Sequence, residues 1–307
     1  MKIIVKYCLL FLFIYSVQVQ TIKAQAFEPR FLSDTPIKAN FLVGSYAFSK
    51  GDILLDNAAP VQDLESTLNT FAIVYGRSFK LFNRLTKIDA ILPYAIADFS
   101  GLLNGVAAST SRNGFGDPLF RISMIIIGVD ALELKDFIKY QPKKFKFGVG
   151  LRVTPPLGQY DNTKLINLGS NRWTFKLGVG ASYTFLNKII LETQIKYWVF
   201  TQNDEFFNGG VLRQSPLISA QLHLSYIFKP GVWISGSIGQ TNAGTTYIND
   251  VEQEKINKNT RYGATFSYRV NKNNSLKIGL TNGILNRYDI DYTSIIVAYS
   301  FLWFDKK

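Results

Sequence analysis

The sequence predicts an all-β chain: a single transmembrane antiparallel β-barrel of about twelve strands that follows a cleaved signal peptide. Three observations predict it. The chain opens with an export signal, the remainder alternates apolar and polar side chains with period two, and the connections alternate between short and long.

The opening residues set the compartment. Lys2 and Lys6 give a cationic start, Tyr7 to Val19 is an apolar run broken only by Ser16 and Gln18, and Ala24-Gln25-Ala26 has the small–polar–small pattern of a signal-peptidase site. The run is shorter than the roughly 20 apolar residues that a spanning helix needs. Cys8, the one cysteine, lies inside this signal and has no small-residue box before it, so a lipoprotein signal is not expected. The mature chain then has no thiol for a disulfide or a thiolate metal site. One histidine, His223, is too few for a protein-only zinc site, and neither a metal nor a cofactor is expected. The expected organisation is a signal peptide over 1–26, a short periplasmic segment over 27–36, a barrel over 37–304 and a tail over 305–307.

The formal charge is +12. Cleavage after Ala26 removes three of the 34 basic residues and none of the 22 acidic ones, leaving +9. An exported chain will not meet nucleic acid as its main partner. The charge is assigned instead to a lumen wall or to anionic lipid headgroups. The expected partners are outer-membrane lipid and a small-molecule solute. No apolar helical span follows the signal, and a spanning chain without such helices must close its sheet so that every backbone amide is paired.

Twelve candidate strands follow: Ile37–Ser49, Ser66–Arg77, Lys87–Phe99, Phe115–Ile127, Lys144–Pro155, Arg172–Phe185, Ile189–Phe200, Leu217–Phe228, Val232–Ala243, Thr260–Val270, Ser275–Leu285 and Tyr292–Phe304. The sixth shows the alternation most plainly. Trp173, Phe175, Leu177, Val179, Ala181, Tyr183 and Phe185 share one face; Arg172, Thr174, Lys176, Gly178, Gly180, Ser182 and Thr184 share the other. A soluble sandwich would read the same in one strand, so the connections decide. Leu186-Asn187-Lys188 is short and Thr201–Pro216 long; Lys229-Pro230-Gly231 is short and Gly244–Asn259 long; Asn271–Asn274 is short. Short turns at one end and long loops at the other belong to outer-membrane barrels. Gly128–Lys143 is long where a turn is due. Ala131, Leu134, Phe137 and Ile138 lie there at helical spacing, which predicts a short periplasmic helix. Phe228, Trp233, Tyr268, Tyr299, Phe301 and Trp303 sit near strand ends, as girdle aromatics do. Pro93 opposes the reading, since mid-strand it removes a ladder hydrogen bond; a bulge or a shifted register is expected there.

Several stretches carry a family resemblance. Gly114-Phe115-Gly116-Asp117-Pro118 opens a strand ending in Ile127-Gly128, with Ala131-Leu132 just after. Pro156-Leu157-Gly158-Gln159-Tyr160-Asp161, Leu165-Ile166-Asn167-Leu168-Gly169, Asn171-Arg172-Trp173, and then Asp204, Phe206, Phe207 and Gly209 follow. From about Ile37 to Phe304 the chain resembles the outer-membrane family labelled "Putative MetA-pathway of phenol degradation". The resemblance implies a barrel, suggests uptake of small, often aromatic compounds, and supplies no catalytic residue.

If the apolar faces meet lipid, the other faces line the lumen. Lumen-lining candidates are then Asp117, Arg121, Arg152, Arg172, Lys176, Glu192, Lys196, Arg261 and Lys277, together with Lys144, Lys146 and Arg269. Lys or Arg facing lipid at midplane would cost roughly 2–4 kcal/mol, so the inside is the cheaper place. A cationic lumen favours anions. The competing reading is an interior plugged by its own loops, with these charges paired to loop carboxylates; Asp117 and Arg121 could likewise pair with each other. Twelve strands enclose less than an open aqueous pore, and 27–36 is too short to be a large plug. The expected function is a channel for passive uptake of small solutes, with aromatic or anionic solutes as candidates. The alternatives are a structural or assembly barrel without transport, and a barrel lipid hydrolase using His223 and Ser225. No catalytic residue is assigned, because that pair falls on the inward face and no carboxylate stands at a matching spacing to orient the histidine.

Overall fold

The computed structural model describes residues 27–51, 61–103, 105–242, 244–253, 258–283 and 292–305; the expected signal peptide and the last two residues of the tail lie outside this range. The strands are β1 (Ala39–Gly51), β2 (Val61–Leu81), β3 (Arg84–Leu103), β4 (Val106–Phe115), β5 (Leu119–Asp130), β6 (Phe145–Thr154), β7 (Thr174–Phe185), β8 (Ile189–Phe200), β9 (Asn203–Phe206), β10 (Gly210–Gln214), β11 (Leu217–Lys229), β12 (Val232–Asn242), β13 (Thr246–Ile248), β14 (Val251–Glu252), β15 (Lys258–Arg269), β16 (Asn274–Gly283) and β17 (Tyr292–Phe304). A helix of one turn, α1 (Leu134–Phe137), lies between β5 and β6, at the site of the expected periplasmic helix.

The sheet is antiparallel and closed. β1 pairs with both β2 and β17, and the ring continues through β3, the β4–β5 pair, β6, β7, β8, β11, β12, β15 and β16, giving twelve wall strands. Its burial pattern is inverted relative to a soluble protein. In β11, Leu224 is 56 % exposed while its neighbour Ser225 is 1 % exposed. The polar face is therefore inside and the apolar face outside, as lipid requires. Aromatic pairs ring both ends. Tyr183–Phe185, Tyr226–Phe228 and Phe301–Trp303 lie toward the termini, and Tyr94–Phe115 and Trp173–Phe175 lie at the other end. The start of β1, the end of β17 and the short turns share one end, which is the periplasmic one by the rule for such barrels. Trp233 departs from the girdle expectation: it is buried and faces the lumen.

Pro93 keeps its place in a continuous β3, paired with Ala72 of β2. The interruption falls on the neighbouring strand instead. β4 pairs with β3 as far as Tyr94–Phe115, and β5 resumes at Ile91–Leu119. Gly116-Asp117-Pro118 thus opposes Leu92-Pro93, three residues against two, and the Gly116 N–H donates to the Pro93 carbonyl at 3.1 Å. A proline without a donor is tolerated where its ladder partner steps aside. Val106–Gly114, read from sequence as connection, is wall strand; its small polar residues lack an alternation that would mark it.

Among the described residues, the outer connections after β6, β8 and β12 carry structure of their own. β14, β13, β10 and β9 form a small sheet from the two connections that follow β8 and β12. Residues 155–173 fold back onto the free edge of β4, where Gln159 N–H donates to the Phe115 carbonyl at 2.8 Å. Ile166 of this loop joins Leu64, Leu68, Ala97 and Phe99 in an apolar cluster.

Candidate functional site: the lumen

The register of the wall concentrates positive charge. Arg121 of β5 stands opposite Arg152 of β6, and Arg152 stands opposite Lys176 of β7. Lys196 of β8 pairs with Gly178, one inward position along the same face. Like charges directly across a ladder are destabilising, so this row needs a counter-ion.

The counter-ion comes from the N-terminal segment, and here the sequence expectation is corrected. Residues 27–36 do not lie beneath the barrel; they turn up into it. Glu28 is ion-paired to Arg152, to Lys196 at 3.3 Å and to Arg121 at 3.4 Å. Burial alone would raise the Glu28 carboxyl, but the fields of Lys196, Lys176, Arg152 and Arg121 outweigh it and hold its pKa well below the usual carboxylate value. Glu192 acts in the opposite sense. Its carboxylate accepts from the backbone N–H groups of Phe31 (3.1 Å) and Leu32 (3.3 Å) and from Gln194 Nε2 (2.8 Å). Lys146 binds Asp34 at 2.6 Å, and Lys87 Nζ donates to the Ser33 carbonyl at 2.7 Å.

Shape completes the fit. Gly148, Gly150 and Gly180 leave a smooth recess on the inner face of β6 and β7. A Cβ at Gly148 would come within 2.7 Å of Leu32 Cδ2, and one at Gly150 or Gly180 within 3.3 or 3.4 Å of the Phe31 ring. Arg30 lies over Trp233 at 5.5 Å, and the Phe27 ring meets His223 edge-on at 5.9 Å.

Of the sequence-derived candidates, Arg121, Arg152, Lys176, Glu192 and Lys196 converge on this segment. Lys176 also stacks on Trp198 at 4.7 Å. Arg172 and Arg261 sit apart, at the outer end. Arg172 Nη2 donates to Gln214 Oε1 at 2.8 Å and lies over Phe200. Arg261 donates to Thr281 Oγ1 at 2.7 Å and stacks on Tyr292 at 3.5 Å. Asp117 does not pair with Arg121. It accepts from Gly158 N–H at 2.7 Å and from the Ser170 N–H and hydroxyl at 2.8 Å each, clipping the 155–173 loop to the break in the wall. Arg121 takes Asp89 instead, at 2.7 Å. Lys144 is exposed, and Arg269 donates to the carbonyls of its own turn. Lys277 is exposed to water although the barrel surrounds it; its ammonium lies 5.9 Å from the Trp233 ring.

Sequence reasoning missed Glu28, Asp34, Lys87 and Asp89. The alternation Lys87-x-Asp89 carries the signal for two of them, but with Pro93 in the same strand the sequence does not fix which way they face. His223 Nδ1 shares a 2.8 Å hydrogen bond with Ser237 Oγ, and Ser225 donates to Ser235 at 3.0 Å, so histidine and serine of the same face are not joined to each other.

The segment fills one side of the lumen. On the other side a cavity of about 280 Å³ is lined by Phe41, Val43, Asp89, Arg121, Lys277 and Ala298, among others. It shares Phe41, Ser275 and Ser300 with a vestibule of 740 Å³ that extends to α1 and the periplasmic turns.

A closed twelve-stranded barrel with an apolar exterior, two aromatic belts and a charged, segment-filled lumen is an outer-membrane β-barrel protein. The chain belongs to the family described as "Putative MetA-pathway of phenol degradation", which matches residues 46–284. No protein of curated function matches it. Among solved structures it is similar to an outer-membrane channel from Pseudomonas putida F1, with a TM-score of 0.74 at 18% identity, covering 91% of this chain and 100% of that one. It is less similar to the β domain of the Bordetella autotransporter BrkA (TM-score 0.51, 12% identity, 86% and 99% covered). The transport unit of the autotransporter AIDA-I from Escherichia coli compares similarly (TM-score 0.50, 10% identity, 92% and 93% covered). At these identities the likeness is one of fold.

Proposed function

We propose that this protein is a channel for passive uptake of small solutes, selective for anions, and that signal cleavage after Ala26 frees Phe27 to begin the lumenal segment. The observation that carries the reading is the cavity left beside the segment. It holds Lys277 and Arg121 against the single carboxylate of Asp89, and it runs on into the periplasmic vestibule. Charges inside a narrow passage are screened less than on an open surface, where the Debye length is about 8 Å at physiological salt. Small aromatic acids are natural solutes for such a path, since Phe41, Val43 and Ala298 offer apolar wall beside the cations. The solved channel from Pseudomonas putida F1 supports the class through its shared fold.

The second reading is a structural barrel without transport, and the filled half of the lumen favours it. A hydrolase is disfavoured because His223 and Ser225 face inward beneath Phe27, where membrane lipid has no approach.

Planar-bilayer recording with reversal potentials in a salt gradient separates these readings. The wild type should pass current with anion preference, and Lys277→Glu should reduce or invert that preference. Silence from wild-type protein under every voltage tested would leave the structural barrel standing.

A further inference from the structure

A second cavity lies at the outer end, away from the lumen passage. β2, β3 and β4 project beyond the apolar belt, and the 163–166 turn and Phe207 close over their inner face. The pocket beneath them measures about 290 Å³ and is lined mainly by Leu64, Phe99, Leu103, Ala108 and Phe207, with Arg112 and Lys164 also in its lining. That places it at the lower edge of small-molecule pockets, which run from about 300 to 1,000 Å³. Its floor is not incidental packing: Leu64 and Phe99 belong to the buried cluster that Ile166 completes.

The charge of the lining is one-signed. No carboxylate lines the cavity among the described residues, whereas Arg112 and Lys164 both do. Lys164 is engaged by Asp161 at 2.7 Å. Arg112 is held in place by three bonds: Nε donates to the Ile166 carbonyl at 2.6 Å, and Nη1 donates to Thr110 Oγ1 at 2.5 Å and to the Ser111 carbonyl at 2.8 Å. Nη2 makes no bond among the described residues. A guanidinium that lines an apolar cavity and is fixed by its other nitrogens keeps Nη2 for a carboxylate oxygen.

We propose that this pocket binds a small amphiphilic carboxylate, with its apolar body against Phe99, Leu103 and Phe207 and its charge on Arg112. The pocket would then concentrate such solutes at the outer mouth; that capture role rests on the channel reading, whereas the binding itself does not.

The test is a ¹⁹F NMR titration of the full-length mature protein in detergent. The probes are 4-fluorobenzoate and 4-fluorobenzyl alcohol, which share the ring and differ in charge, with empty micelles as the partition control. The carboxylate should bind saturably and the alcohol about tenfold more weakly, as expected for loss of a charge-assisted hydrogen bond. Ala108→Trp, which fills the cavity from a projecting strand, should abolish both, while circular dichroism shows the barrel intact and bilayer current stays at the wild-type level. Equal binding of the two probes, or binding that survives Ala108→Trp, would overturn the proposal. Binding without any wild-type conductance would leave the pocket standing and remove the channel reading; conductance without saturable binding would do the reverse.

Discussion

The two sides of the lumen wall share one fold and one alternation, yet they do different things. From β5 to β12 the inward positions carry Arg121, Arg152, Lys176, Glu192, Lys196, Trp233 and a glycine recess, and this side is occupied by the protein's own N-terminal segment. From β16 through β17 and β1 to β2 the inward positions include Ser275, Lys277, Ala298, Ser300, Phe41, Val43, Val74 and Gly76, and a cavity remains. The difference teaches that a charged inward face does not by itself leave open space. Where cations crowd, their own mutual repulsion recruits a counter-ion from the chain. The cavity remains where the inward charges of the wall, Lys277 among them, are spread out between small and apolar side chains such as Ala298, Val43 and Gly76.

The strongest way to break this comparison is to empty the filled side. Deleting residues 27–36 should raise single-channel conductance several-fold, because the segment is then absent and four clustered cations line the freed space. An unchanged conductance in the deletion would mean that the outer loops, not the segment, limit flow. A smaller effect is expected from Glu28→Gln, which leaves Arg121, Arg152, Lys176 and Lys196 facing one another. Breaking a buried ion network by removing one partner costs about 3–5 kcal/mol, enough to undock the segment for part of the time. Hydrogen exchange at Phe31 and Leu32 should speed up, and current traces should show added open-state noise.

The same carboxylate sets a pH dependence whose sign follows from its depressed pKa. Its contribution to docking is fully present above the ordinary carboxylate value of about 4.3 and is lost as pH falls through the lower, docked value. Conductance of the wild type should therefore be flat from about pH 8 to pH 5 and rise only in stronger acid. The mildest change is Gly150→Leu, which pushes a side chain toward the Phe31 ring. Overpacking of this kind costs roughly 1–3 kcal/mol, and the expected readout is a modest gain in proteolytic access to residues 27–36.

Much of this was legible in the sequence, and the reason is physical. A lipid-facing wall must alternate, so the twelve strands stand out, and Arg172–Phe185 alone shows which residues face which way. The short helix at Leu134–Phe137 was readable from spacing. Other features were hidden because they depend on contacts between distant residues. Nothing local to Phe27–Pro36 shows that Glu28 meets Arg121, Arg152 and Lys196, which lie 93 to 168 positions away. Alternation assigns Asp117 to the lumen, although its place between Gly116 and Pro118 is that of a turn residue. A position near a strand end suggests an interface aromatic at Trp233, whereas its parity with Ser235 and Ser237 puts it inside.

The docked segment also constrains how the molecule is made. Only Ile37 and Lys38 separate Pro36 from β1, and β1 is the strand that seals the cylinder by pairing with β17. Insertion of the segment and closure of the seam are therefore tied to a short leash: the peptide must already lie between the first and last strands when they zip together, or be threaded in afterwards from the periplasm. An affinity tag inserted directly ahead of Phe27 would have to be accommodated in that same narrow space. The position of a tag thus becomes a choice about whether the barrel can finish its own assembly.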